Sequence, residues 1–389
     1  MSNHPTQNPP MNSPSDKTQP QGRDIAIDYL RSFVIVLVVF LHAALAYTSF
    51  STFSPTRYFD SSAVVVDASR WPLLDLFVLF FDTFMMPLLF LVSGLFTISS
   101  LERKGSGGFF LARQQRLGIP FAVGALFIAP LAFLPGFLLA IPGSPTPYLV
   151  RFYTSDGWPV GAPWFLWVLL AFNAILALVH WIAPAALAKL RQQPTSLAIL
   201  LVTIVSLLSL NLFIPIYYWV VSLGPFDLQP ARIGLYFAYF LIGAALGTGQ
   251  QWRRIGWPKH WGYWFILGLL SFFAYILSGN AAIPLLPQLV FQGMRSVAFA
   301  ASCAGASLGL LGAFRALVRR SHPLFDSLSA DSYAIYLIHY PLVHWIQFIL
   351  LPAAWPAWFK FSLTLIGALA LSWGTSKVVR QIPAFRRIL

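Results

Sequence analysis

Residues 23–46 read RDIAIDYLRSFVIVLVVFLHAALA; the apolar run from Phe33 to Ala46 carries one imidazole, His42, and a guanidinium, Arg31, stands just before it. At about 100° per residue, the eleven steps between them return to within about 20° of the start. Both side chains therefore fall on one stripe of a helix, roughly 16 Å apart along its axis. Ionisable groups inside a membrane span normally face a protein interior or a wet cavity, so this stripe is the leading candidate for a functional surface.

The surroundings make the membrane reading firm. The chain is 58% hydrophobic and only 10% charged, a balance that ordinary water-soluble domains do not reach. Apolar runs of about 20 residues without period-2 alternation predict transmembrane helices and argue against a membrane barrel. The expected spans are 25–50, 71–99, 117–141, 163–187, 197–222, 232–250, 261–280, 288–314, 331–351 and 357–379. The fold class is thus an all-α polytopic bundle of about ten spans. Residues 1–22 are polar, lack the apolar core of a signal peptide and are expected to form a disordered cytoplasmic tail. Residues 23–389 form the transmembrane domain.

Nineteen of the 25 Lys and Arg residues fall on the side of the two termini, which places both termini in the cytoplasm by the positive-inside rule; the expected location is a bacterial inner membrane. The net charge of +13 therefore marks topology rather than a nucleic-acid partner. Arg232 and Lys360 stand at span edges, and Arg295 lies within a span. The lone Cys303 excludes an internal disulfide and a thiolate metal cluster. The pairs Gly243/Gly247 and Gly305/Gly309 have the spacing of close helix packing.

Depth along the spans groups the polar residues. With the first span running outward and the second inward, His42 lies roughly 12 Å and Asp82 roughly 16 Å below the outer end. Ser93 and Arg31 both lie roughly 9 Å from the cytoplasmic ends. Asp82 and Ser93, again eleven apart, share a helix face. An imidazole suits proton abstraction, and a carboxylate bonded to one ring nitrogen frees the other as a base, which makes His42 and Asp82 the catalytic candidates. The competing readings are a histidine bonded to a carbonyl and an Asp82 paired with an intramembrane arginine such as Arg295.

The loop from Glu102 to Arg116 ends on Arg113 and Arg116, one helical turn apart, where guanidinium forks could hold phosphate oxygens or simply mark topology. His339 lies about 12 Å into the ninth span, with Pro341 after it to kink the helix. His344, about 140° further round, cannot share a metal with it, and no metal site is expected. Arg295 could snorkel outward or line an acceptor cavity. Trp164 and Trp167 read as interfacial anchors whose faces could also stack on sugars.

Taken in order, Asp28-Tyr-Leu-Arg31 with His42, Phe90-Leu-Val-Ser93-Gly94, Arg113-x-x-Arg116 with Pro120, Trp164-Phe-Leu-Trp167, Tyr239-Phe-Leu-Ile-Gly243 and Ser332-Tyr-Ala-Ile-Tyr-Leu-Ile-His339 resemble the membrane-bound acyltransferase-3 family. The resemblance implies an O-acyltransferase that uses cytosolic acyl-CoA, acetyl- or succinyl-CoA, as co-substrate with no bound cofactor. Its acceptor would be a hydroxyl of a periplasmic or extracellular glycan. The neighbourhoods Val92-Ser-Gly-Leu-Phe and Arg116-Leu-Gly-Ile-Pro120 look closest to the glucan-succinylating branch. By the same resemblance His42 would be the base, Arg31 would hold the donor, Arg113 and Arg116 would bind CoA phosphates, and Ser93 with Gly94 would admit the pantetheine arm. His339, Arg295 and Trp164 complete the expected donor and substrate set. The rival reading is a secondary transporter of an anionic metabolite that uses the same buried His, Asp and Arg groups. No Gly-x-Ser-x-Gly elbow is present to suggest a covalent serine route.

Overall fold

Asp24 starts the architecture. Its carboxylate accepts the Ile27 amide at 3.1 Å and caps α1 (Ile25–Leu45), satisfying one of the orphan donors every helix start carries. The far end of α1 is closed as carefully. The Thr48 and Ser51 hydroxyls donate to the Leu45 carbonyl, and Arg70 donates to the carbonyls of Thr48 (2.8 Å) and Ser51 (3.2 Å). A computed structural model describes residues 24–141, 143–154, 157–188, 194–221, 223–248, 258–279 and 287–382. The expected tail, 1–22, lies outside them.

Helices continue in chain order: α2 (Leu73–Gly94), α3 (Thr97–Arg113), α4 (Ile119–Val123), α5 (Ala129–Ala140), α6 (Tyr148–Thr154), α7 (Trp164–Ile182) and α8 (Pro184–Ala188). Then come α9 (Ser196–Asn211), α10 (Pro230–Thr248), α11 (Trp261–Ser278), α12 (Gln288–Leu317), α13 (Pro323–Leu350) and α14 (Ala357–Val379). Nine described helical segments are long and apolar enough to cross a membrane, and α9, with 16 residues, is a shorter apolar helix where the fifth of the ten expected spans, 197–222, was placed. Among the described residues the only β pairing is a single bridge, Val220 to Leu228. The chain is an all-α polytopic membrane protein.

Two expected boundaries differ. The segment Glu102–Arg116, read from its glycines as a loop, is helical and joins the third span into one rod, Thr97–Ala140. Of its glycines only Gly105 leaves the helical region, at φ 68°, and there the rod bends. π-helical turns at Gln114–Gly118 and Gly124–Ile128 interrupt the rod further on. The ninth span begins at Pro323, whose missing N–H costs nothing at a helix start, and α13 runs on through Pro341 to Leu350.

Glycine sets the closest helix contacts. A Cβ on Gly243 or Gly247 would overlap the carbonyl oxygens of Leu91 or Leu95, and one on Gly94 would overlap the Phe240 carbonyl. Thus α2 and α10 touch backbone to backbone, as Gly305 and Gly309 let α12 approach α11 at Gly268 and Phe265. Buried charges are paired: Asp82 with Arg232 at 2.7 Å, and Asp67 with Lys360 at 2.7 Å. Lys360 also donates to the Leu351 carbonyl, tying the stretch after α1 to the α13–α14 turn.

Candidate active site

The imidazole of His42 sits in the last turn of α1, half-buried, against α13. Its Nδ1 lies 2.9 Å from the Val38 carbonyl and 3.1 Å from Nε2 of the fully buried His339. His339 Nδ1 in turn lies 2.7 Å from the Tyr336 carbonyl. A carbonyl can only accept, so the network assigns the tautomers. His339 carries its proton on Nδ1 and donates to Tyr336, which leaves its Nε2 as a lone pair. His42 then carries its proton on Nδ1, shared between Val38 and His339. His42 Nε2 is left as a bare lone pair, and no hydrogen bond among the described residues occupies it.

α13 holds this arrangement from three further points. Gln347 donates its amide to the carbonyls of His42 (3.0 Å) and Ala43 (3.1 Å), pinning the backbone beneath the ring. The Tyr340 ring packs edge-on against His42 at 4.9 Å and against His344 at 4.2 Å. His344 is itself bonded to the Ala132 carbonyl at 3.0 Å. His339, Val343 and Gln347 recur every four residues on one face of α13, and the two polar ones, His339 and Gln347, bond to α1. That spacing was available in the sequence as a signal for Gln347, which the motif reading passed over, as it did Tyr340.

The sequence-predicted arginine pair lies at the end of α3 and on the π-helical turn that follows it. Arg113 stacks on the Phe109 ring at 5.0 Å, and Arg116 is exposed on the π-helical turn. The Tyr333 hydroxyl donates to the Arg116 carbonyl, so this turn is tied to α13 six residues before His339, about 9 Å along the helix. Arg31 stays on the stripe of α1 below His42, half-exposed, with Asp28 at 3.6 Å. Ser93 is half-buried near the end of α2, and its carbonyl accepts from Thr97. The space beside Gly94 is filled by the α10 backbone, so the close approach this glycine permits is that of a helix.

Other sequence candidates lie elsewhere. Asp82 bonds Arg232 rather than His42, and the Arg232 guanidinium is stacked on Tyr217 and Phe299. The intramembrane arginine is present as anticipated, but it is a different one from Arg295. Trp164 is buried rather than at an interface, packed on Trp219 at 5.3 Å and Tyr236 at 5.6 Å. Trp167 donates to the Asp227 carbonyl at 2.9 Å. Arg295 lines a half-open cavity of about 340 Å³ between α9, α11 and α12, away from the histidine pair.

Above the histidines, the segment between α6 and α7 meets the segment between α9 and α10. Asp227 accepts the Val160 amide at 2.9 Å, and its carboxyl is pushed up to about 6 by burial. At Gly161, φ 62°, the Tyr340 ring occupies the place a side chain would need.

A family model described as an acyltransferase domain, acyltransferase-3, matches residues 24–377, which hold every residue placed above. The chain belongs to the acyltransferase-3 family. As a member it is a multi-pass membrane acyltransferase, and the transporter reading loses its support. Neither the curated proteins nor the solved structures give a match. The acyltransferase-3 match and the geometry coincide on α1 and α13, which the model spans completely.

Proposed function

We propose that this acyltransferase moves an acyl group from cytosolic acyl-CoA to a hydroxyl of an extracytoplasmic glycan across a bacterial cytoplasmic membrane, with His42 as general base. The observation that carries the proposal is the pair of contacts His42 Nδ1 makes, to the Val38 carbonyl and to His339 Nε2, which assign its proton to Nδ1 and leave Nε2 bare. The acceptor O–H gives its proton to Nε2 as its oxygen forms the new bond to the thioester carbonyl carbon. The carbon–sulfur bond then breaks, and the imidazolium returns the proton to the leaving thiolate, which departs as the CoA thiol. Positive charge that develops on the ring is stabilised through Nδ1–H by two acceptors already in place, so no reorganisation is needed at the moment of reaction.

The donor enters where Arg113 and Arg116 offer guanidinium groups to its phosphates, and Arg31 adds a further cation on the same stripe as the base. Its long arm follows α13 from Tyr333 towards His339, which brings the thioester to the His42 level. Acetyl and succinyl groups are the donors the resemblance favours. The test is thiol release from acetyl- or succinyl-CoA by the purified protein in the presence of a glucan. The wild type releases thiol and esterifies the glucan, and His42→Ala loses about 10²- to 10⁴-fold in rate. Undiminished release by His42→Ala rejects the assigned base.

A further inference from the structure

The half-open cavity beside α12 is built for a charge it does not itself contain. Its polar lining comprises Arg295, Gln292, Ser296, Asn211, Tyr217 and Tyr275, and none of its described lining residues is acidic. The Arg295 guanidinium lies 5.1 Å from the Tyr275 ring centroid, and no described carboxylate pairs with it. The nearby Asp82 is spoken for, because Arg232 neutralises it at 2.7 Å while stacking on the Tyr217 and Phe299 rings. The pocket therefore keeps one positive charge.

Its neutral groups are oriented as donors. Tyr217 and Tyr275, both lining the cavity, place their hydroxyls 3.1 Å apart; one proton is used between them and the other is left free to donate. Asn211 donates to Ser296, and Ser296 donates to the Gln292 carbonyl, which fixes the wall; the Gln292 amide is uncommitted among the described residues. An arginine fork, an amide and a phenol converging on one space match a tetrahedral oxyanion with several lone pairs.

The rim decides what carries that oxyanion. Phe213, one of the lining residues, and Leu289, about one helical turn before Gln292 on α12, are large apolar side chains left exposed at the ends of apolar helices. A ligand there has a charged head towards Arg295 and hydrocarbon against these residues. We infer that this cavity binds the phosphate headgroup of an anionic lipid, at a site separate from the histidine pair and independent of the acyl-transfer reading.

Lipid retention by the full-length protein in detergent, read by native mass spectrometry, tests this with phosphatidylglycerol, phosphatidylcholine and inorganic phosphate as probes. Wild type retains one phosphatidylglycerol in preference to phosphatidylcholine by about tenfold or more, the discrimination a charge-assisted contact supplies. Arg295→Gln abolishes the preference, Arg295→Lys keeps part of it, and Arg57→Gln, at an exposed surface ion pair elsewhere, leaves it unchanged. Gln292→Leu weakens it with the guanidinium in place, which keeps the test valid if Arg295→Gln unfolds. Equal retention of both lipids by wild type, or an unchanged preference in both Arg295→Gln and Gln292→Leu, overturns the site. Displacement of the lipid by millimolar inorganic phosphate overturns the lipid as its source and assigns the pocket to a soluble phosphate.

Discussion

Replacing His339 by Phe separates a base that is merely present from one that is held. The substitution keeps a ring in a fully buried position but removes the acceptor 3.1 Å from His42 Nδ1. Val38 still accepts at 2.9 Å, so the tautomer survives and Nε2 remains the basic nitrogen. What is lost is one of two hydrogen bonds to the imidazolium that forms as the acceptor gives up its proton. A bond to a charged group is worth about 1.5–3 kcal/mol, so kcat should fall about 10- to 150-fold. The KM for acyl-CoA should hold, because the proposal assigns most of the donor's binding to its phosphates at Arg113 and Arg116 rather than to the acyl end that reaches His339. Steady-state thiol release in nanodiscs measures both constants, and His339→Gln, whose amide oxygen can accept, should recover part of the rate. A His339→Phe enzyme with wild-type kcat, or one as slow as His42→Ala, would refute the reasoning: the first because the bond does nothing, the second because Val38 then fails to hold the tautomer.

Four further outcomes follow from the same structure. Arg113→Ala with Arg116→Ala should raise the KM for acyl-CoA while kcat changes little, measured by the same assay at saturating acceptor. Breaking the buried Asp67–Lys360 pair with Lys360→Met should destabilise the protein by about 3–5 kcal/mol in detergent denaturation, and adding Asp67→Asn should restore part of that, since the unpaired charge is the larger cost. Gly243→Val forces α2 and α10 apart at the Leu91 carbonyl and should cost about 1–3 kcal/mol, seen as a lowered Tm. Burial raises the Asp227 carboxyl from its usual value to about 6, so the folded protein holds this proton more tightly than the unfolded chain does. Its stabilising contribution is complete below about 4 and is lost as pH rises through about 6. Asp227→Asn should flatten that part of a Tm-against-pH curve.

Much of the bundle is legible in the chain because apolar runs of spanning length leave little choice in a bilayer. The shared stripe of Arg31 and His42 needs only the helical period, and α1 is continuous across both. The helical course of Glu102–Arg116 was not legible, since clustered glycines carry the propensity of a loop and only tertiary packing overrides it. Gly94 was given to the donor arm by the family resemblance alone, and a glycine in a motif does not say whether it admits a ligand or, as here, a neighbouring helix. Asp82 was placed by depth alone, and depth does not choose between His42 on α1 and Arg232 on α10. Trp164 resembled an interfacial anchor because a tryptophan at a helix start carries no mark of the Tyr236 and Trp219 rings that enclose it. The contact between His339 and His42 joins residues 297 positions apart, and no local pattern announces which two spans meet.

The central claim is that His42 Nε2 takes the acceptor's proton beside the thioester of a donor whose phosphates lie at Arg113 and Arg116. An experimental structure with a non-reactive acyl-CoA analogue bound tests it most directly. The account predicts phosphates against those two arginines and the carbonyl carbon within one small acceptor hydroxyl's reach of Nε2. A donor seated with its acyl end away from the α1–α13 contact, beyond any such reach, contradicts it.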